Sequence, residues 1–346
     1  MLRQKLIQFL IAIIFLQVGA QAFSQSQPLF ETDNLLELEI TYSFKDFFKS
    51  RKERNKIPAS IVEISTSGDS IKNDIKISMR GKSRTKICRY PPIRLHFKNS
   101  ATEGVFINQN KLKLVTHCKD AYSFENYVKK EYLIYKLYNL ISDVSIRARM
   151  CKITYKDSNN QGKSYSSFGI ILEDIGMVAT RNNLKSYKRD LRSQDVTKKG
   201  SLDKLVLFQY MIGNLDWEIG KQHNIKLLRG VDSGLPVAVP YDFDYAGFVD
   251  ANYAVPPETM DLTDVKIRVF RGFCRIDYYA KTIDYYLKNK SKFYNKIQKA
   301  SYLSDKERGK IKDYINDFYA TLENKSKRME RIGKACRAKH KHVYQK

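Results

Sequence analysis

The chain has 346 residues, 42% of them hydrophobic, with 18 Phe and 23 Tyr, which is enough apolar material for a sizeable core and excludes an intrinsically disordered protein. With 16 Gly and 8 Pro and no internal repeat, collagen-like, linker-dominated and solenoid architectures are excluded as well. Sixty-two Lys and Arg against 37 Asp and Glu give a net charge of +25, which calls for an anionic partner: nucleic acid, nucleotide, phosphorylated substrate or acidic surface.

The N-terminus chooses among these. Arg3 and Lys5 precede an almost unbroken apolar run from Leu6 to Val18, followed by Ala20, Gln21 and Ala22 as a small-x-small cleavage signature. The run falls short of the roughly 20 residues that span a bilayer, so residues 1–24 are expected to be a secretory signal peptide. Its removal would leave +23 and an exported protein, periplasmic, surface-bound or secreted, for which nucleic acid is not the expected partner. The five cysteines show no C-x-x-C and no metal-ligand spacing, which disfavours zinc. Cys88 and Cys118 each end a strand-like run and are the first candidates for a disulfide; buried free thiols are the alternative, and the odd count leaves one over.

In chain order, residues 25–175 read as a sheet-rich half. Leu36–Thr41, Ser60–Ser65 and Asp74–Met79 are apolar or alternating runs, and Arg80, Gly81, Lys82, Ser83 and Arg84 form a basic turn. Ile93, Leu95 and Phe97 alternate with Arg94, His96 and Lys98, and Lys111–Thr116 is a further strand. Apolar spacing predicts a helix from about Ser123 to Leu140 that carries Glu131. Strands return at Arg149–Tyr155 and Ser167–Leu172. Residues 176–346 read as a helical half: an apolar helix at Leu202–Ile212, two strands ending near Leu228 and Pro240, then basic helices in which residues 288–346 hold 18 Lys and Arg against 6 Asp and Glu. That tail is a candidate for holding an anionic surface or polymer.

The polar residues that interrupt apolar runs carry the chemistry. Asp216 follows a helix, Asn224 precedes a strand, and Asp242 and Asp244 follow the next one. Phosphoryl transfer needs carboxylate and amide oxygens to hold Mg²⁺ against phosphates, and an acceptor for the nucleophile's proton. The first half offers Arg80 in the basic turn, Lys113 or Arg94 on strands as the phosphate-contacting base, and Glu131 on the helix as partner to a strand lysine.

In Arg80-Gly81-Lys82-Ser83, Asn214-Leu215-Asp216-Trp217, His223-Asn224 and Pro240-Tyr241-Asp242-Phe243-Asp244, the sequence resembles the CotH kinase-like proteins over roughly residues 60–250. The resemblance implies an α+β, two-lobed protein-kinase-like fold, with a sheet-rich N-lobe, a helical C-lobe and a hinge near Glu173. It implies ATP with Mg²⁺ or Mn²⁺ in the cleft and transfer to a protein hydroxyl. By the same resemblance Asp216 is the catalytic aspartate, Asn224 and Asp242 are metal ligands, and Asp244 shares the metal. The rival expectation is a non-catalytic surface protein that binds through the cleft and the basic tail.

Overall fold

A computed structural model describes residues 29–65, 68–81, 84–98, 103–188, 193–231, 234–273 and 276–334. The expected signal peptide at residues 1–24, Lys82 and Ser83 of the basic turn, Cys274, Cys336 and the last 12 residues of the basic tail lie outside the described residues. In order, the elements are β1 (Leu36–Tyr42), α1 (Phe44–Lys49), β2 (Ile57–Ile64), β3 (Ser70–Met79), α2 (Arg84–Ile87), β4 (Ile93–Phe97), β5 (Lys111–Val115) and α3 (Tyr122–Asn139). There follow β6 (Ala148–Asp157), β7 (Asn160–Leu172), α4 (Ile175–Arg181), β8 (Leu184–Ser186), α5 (Lys199–Met211), β9 (Ile225–Gly230) and β10 (Val237–Pro240). Helices α6 (Ile276–Lys288), α7 (Lys290–Gln298), α8 (Asp305–Glu323) and α9 (Lys325–Arg328) complete the described chain.

Strands β1 to β7 close into a barrel in the order β1-β2-β3-β4-β5-β7-β6. All neighbours are antiparallel except β1 and β6, whose parallel register from Leu36 against Cys151 to Tyr42 against Asp157 seals it. Alternation sends Leu38, Ile40, Ile75, Ile77, Leu95, Leu112, Leu114 and Ile153 inward, all at most 4% exposed. The interior is tight where β7 crosses it: a Cβ on Gly169 would stand 3.0 Å from both Leu114 and Ile153. Phe44, Phe47 and Phe106 join the same core.

At one end of β5, β6 and β7 the outward side chains are apolar too. Val115, Met150, Ile170 and Leu172 pack with Leu133, Leu137 and Tyr138 of α3 and with the helices beyond it. In α8, Ile311, Ile315, Phe318, Tyr319 and Leu322 recur at helical spacing and are buried in this second core. Strands β8, β9 and β10 form a separate three-stranded sheet in the order β10-β9-β8.

The expected two-lobed kinase-like architecture is therefore not formed. The sheet is a closed seven-stranded mixed barrel rather than an open N-lobe sheet, because β1 is paired on both edges, to β2 and to β6. Glu173, expected at a hinge, is 1% exposed and held by Arg147 and Arg181, with Nε to Oε1 distances of 3.3 and 3.0 Å.

Cys88 and Cys118 form the disulfide, and Cys151 is free and buried. The bridge ties the end of α2 to the segment after β5, so it holds Arg84 against the rest of the molecule. Closing a separation of 30 residues should contribute about 3.6 kcal/mol. The double variant Cys88→Ser/Cys118→Ser is expected to lower the urea-unfolding free energy by that amount, and an unchanged midpoint would contradict it.

Candidate functional site

The site is built where β10 ends. Asp242 has φ of +65°, a left-handed backbone that Asp tolerates better than most residues, and its N–H donates to the Tyr135 hydroxyl of α3 at 3.0 Å. Phe243 is fully buried between Tyr135 and Phe208, with ring centroids at 4.9 and 6.2 Å. This anchor fixes the segment, so Asp242 and Asp244, two residues apart, hold defined positions on either side of it.

Asp244 is 4% exposed and takes its charge partner from Arg84 at the start of α2, whose Nε donates to Oδ2 at 3.1 Å and whose Nη2 contacts the same oxygen. The Tyr253 hydroxyl donates to Asp244 as well. Glu131, 1% exposed on α3, lies 3.9 Å from Arg84, and its Oε1 is buried without a hydrogen-bond partner. One guanidinium thus serves two buried carboxylates, with Asp242 nearby. Burial, with Asp244 and Asp242 adding to it against the pull of Arg84, pushes the Glu131 carboxyl up to about 8. Burial also raises Asp244, against Arg84.

Lys113 projects from the outer face of β5. Its Nζ lies 4.7 Å from the centre of the Tyr241 ring, which Lys226 also approaches at 5.3 Å. Burial, then the charges of Arg80 and Lys226, lower the Lys113 ammonium to about 8, against the attraction of Asp242 and Asp174. The expected pairing of Lys113 with Glu131 is replaced: Glu131 faces Arg84, and Lys113 makes no ion pair among the described residues. Arg94 stands opposite Lys113 on β4, with its Nε buried and unpartnered.

Asp216 is held from three sides. Its N–H donates to Asn214 Oδ1 at 3.0 Å, Asn224 Nδ2 donates to Asp216 Oδ2 at 2.9 Å, and His223 Nε2 lies 2.7 Å from Oδ1. Asn224 has φ of +50° and is 8% exposed. Both of its side-chain bonds, to the Asp216 carbonyl and to Asp216 Oδ2, use Nδ2. Gly213, with φ of +62°, is required just before this loop because a Cβ would collide with the Tyr314 hydroxyl. Arg271 clamps the loop, donating to the carbonyls of Leu215 and Trp217 at 2.5 and 2.7 Å.

These groups form one contiguous set. The Tyr241 N–H donates to the Asn224 carbonyl at 3.0 Å, which joins the Asp216 loop to Asp242. Tyr245 senses Asp244, Asp216 and Asp242 together: burial first, then these charges, raise its hydroxyl. Beside Asp216 a recess is lined by Leu215, Tyr245, Val255, Pro256, Pro257 and Val265.

Of the residues expected from sequence, Asn224, Asp242, Lys113 and Arg80 lie around Tyr241, Asp216 joins them through its bond from Asn224, and Glu131 and Asp244 face Arg84. Among the described residues no three His, Cys, Asp or Glu side chains form a ready-made metal cage. The donor set still suits a hard cation, since Mg²⁺ is usually held by one or two protein oxygens with phosphate and water oxygens completing the shell. The Asp242 carboxylate and the Asn224 amide are the oxygens of that kind that would hold such an ion, and Glu131 Oε1 is buried nearby without a hydrogen-bond partner. Sequence reasoning missed Arg84 as the buried counter-charge, although it lay in the basic turn; it also missed Tyr135, and Arg271, which no motif announces. No family model matches the chain, and no curated protein matches its sequence.

Proposed function

We propose that the chain is an exported phosphotransferase that uses a nucleoside triphosphate with Mg²⁺ or Mn²⁺ to phosphorylate a protein hydroxyl, with a CotH-like order of site residues carried on a barrel. The observation that supports this reading is the gathering of Lys113, Asp242 and the Asp216–Asn224 pair around Tyr241. A bound divalent ion would be held by Asp242 and Asn224 Oδ1 and would neutralise charge on the leaving phosphates. Lys113, buried and crowded by other cations, is poised to take a phosphate oxygen. Asp216, oriented by His223 and Asn224, would accept the proton of the incoming hydroxyl as its oxygen bonds to phosphorus and the nucleoside diphosphate departs.

A second reading has one observation in its favour. Arg84 already pairs with Asp244, so the cleft would bind a nucleotide without transferring from it, and the basic C-terminal helices would hold an anionic surface. Phosphate transfer measured on the purified protein separates the two.

The phosphate contact has a titration signature. Lys113 sits near pKa 8, depressed from 10.5; a phosphate partner favours the charged form and raises it again. Binding near pH 8 should therefore take up about half a proton. Calorimetry of ATP–Mg²⁺ in buffers of different ionisation enthalpy should show this uptake in the wild type. Lys113→Met should abolish it and weaken binding at least ~10-fold. Uptake that persists unchanged in Lys113→Met would overturn the assignment.

A further inference from the structure

The barrel carries a second basic feature outside the cleft. On the outer face of β2, β3 and β4 there is a groove of about 620 Å³ whose lining includes Lys56, Lys72, Lys76, His96 and Lys98, with Asp74 the one carboxylate among its lining residues. Strand register organises the charges. Lys76 stands directly opposite His96, and His96 directly opposite Lys111, so three cationic or protonatable groups form a row across three neighbouring strands. Adjacent strands are about 4.8 Å apart, which sets the step of that row. Lys56 lies two residues before Pro58, which faces Lys76, and Lys98 lies two residues beyond His96.

None of Lys56, Lys72, Lys76, Lys98 and Lys111 takes part in an ion pair among the described residues, whereas many lysines elsewhere do, such as Lys130 with Glu307 and Lys136 with Asp33. His96 reports the resulting field. Half-buried and bonded through Nε2 to Ser78 Oγ at 2.9 Å, its imidazole is lowered to about 4 by burial and then by Lys56, Arg94 and Lys111. A surface that gathers four lysines against the single carboxylate of Asp74 is complementary to an anion. Lysines spread over neighbouring strands, along a groove of about 620 Å³ that far exceeds the volume of one small ion, suit a chain of anionic units.

We propose that this groove is a binding site for a linear polyanion of linked phosphate groups, distinct from the cleft at Asp242. Lysine ammonium groups recognise it as point charges, and their spread along the groove selects a chain over a single phosphate.

The test uses the full chain without divalent cations and inorganic tripolyphosphate as probe, with orthophosphate and a sulfated oligosaccharide of equal charge as comparisons. Tripolyphosphate is expected to bind at least ~10-fold tighter than orthophosphate and than the sulfated chain. Lys76→Glu/Lys98→Glu is expected to lose at least ~10-fold of that affinity with an unchanged urea midpoint, whereas Asp242→Ala keeps it. In NMR titrations the His96 resonance, assigned by its loss in His96→Gln, should move its midpoint upward when tripolyphosphate is present. Equal binding of orthophosphate or of the sulfated chain, full affinity in Lys76→Glu/Lys98→Glu, or an unmoved His96 midpoint would each overturn the proposal.

Discussion

Asp216→Asn is expected to lower phosphoryl transfer to a protein hydroxyl by about 10²- to 10⁴-fold while leaving nucleotide affinity within about twofold. The argument is geometric. Asp216 makes its hydrogen bonds through one donor to each carboxylate oxygen, Asn224 at 2.9 Å and His223 at 2.7 Å; 36% of its side chain remains exposed, and it lines the recess with Val255 and Pro256. An amide in its place keeps the shape but cannot take a proton, and its NH₂ would confront the donors that now orient the carboxylate. Binding should be spared because Lys113, Asp242 and Asn224 remain. Initial rates with a γ-labelled donor check this; an unchanged rate would remove Asp216 from the reaction and leave the binding-only reading standing.

Arg84→Met should destabilise the protein by about 3–5 kcal/mol at pH 8, because it leaves Asp244 and Glu131 buried without their counter-charge. The loss depends on pH with a defined sign. Glu131 has a folded pKa of about 8 against an ordinary 4.5, so the stability linked to its proton is fully present below about 4.5 and is lost as pH rises toward 8. Removing Arg84 should therefore cost less at pH 5 than at pH 8. Adding Glu131→Gln to Arg84→Met should recover part of the loss at pH 8, since a neutral amide avoids the cost of protonating a buried carboxyl whose pKa the loss of Arg84 drives higher still. Urea midpoints at the two pH values decide it: a cost that is the same at both, with no recovery in the double variant, would show that Arg84 acts by packing alone.

Much of the local structure was legible in the sequence. The alternation of Ile93, Leu95 and Phe97 with Arg94, His96 and Lys98 became β4, with exactly the apolar set inside. The helical spacing around Leu133 and Leu137 became α3, and Cys88 with Cys118 became the disulfide. Barrel closure was not legible, because it rests on β1 pairing in parallel with β6, more than 100 positions away, and nothing in the alternation of Leu36, Leu38 and Ile40 distinguishes a strand with one partner from a strand with two. The same limit explains the Glu131 assignment. Spacing brought a strand lysine and a helix glutamate into range, but which cation reaches Glu131 was decided by the placement of α2, which the disulfide holds and which delivers Arg84 instead of Lys113. Asp216, Asn224 and Asp242 were easier, since each is a polar residue stranded between apolar runs that pack on both sides of it.

The account depends most directly on Asp242 holding a metal-bound nucleotide. A thermal-shift titration with ATP and Mg²⁺ or Mn²⁺ measures this without an acceptor substrate. In the wild type the melting temperature should climb with nucleotide concentration, by the equivalent of about 2.7 kcal/mol at a hundred times the Kd, and only when the divalent ion is present. Asp242→Ala should show no metal-dependent climb. Equal shifts in the two proteins, or a wild-type shift indifferent to the metal, would contradict the role assigned to Asp242 and the phosphotransferase reading built on it.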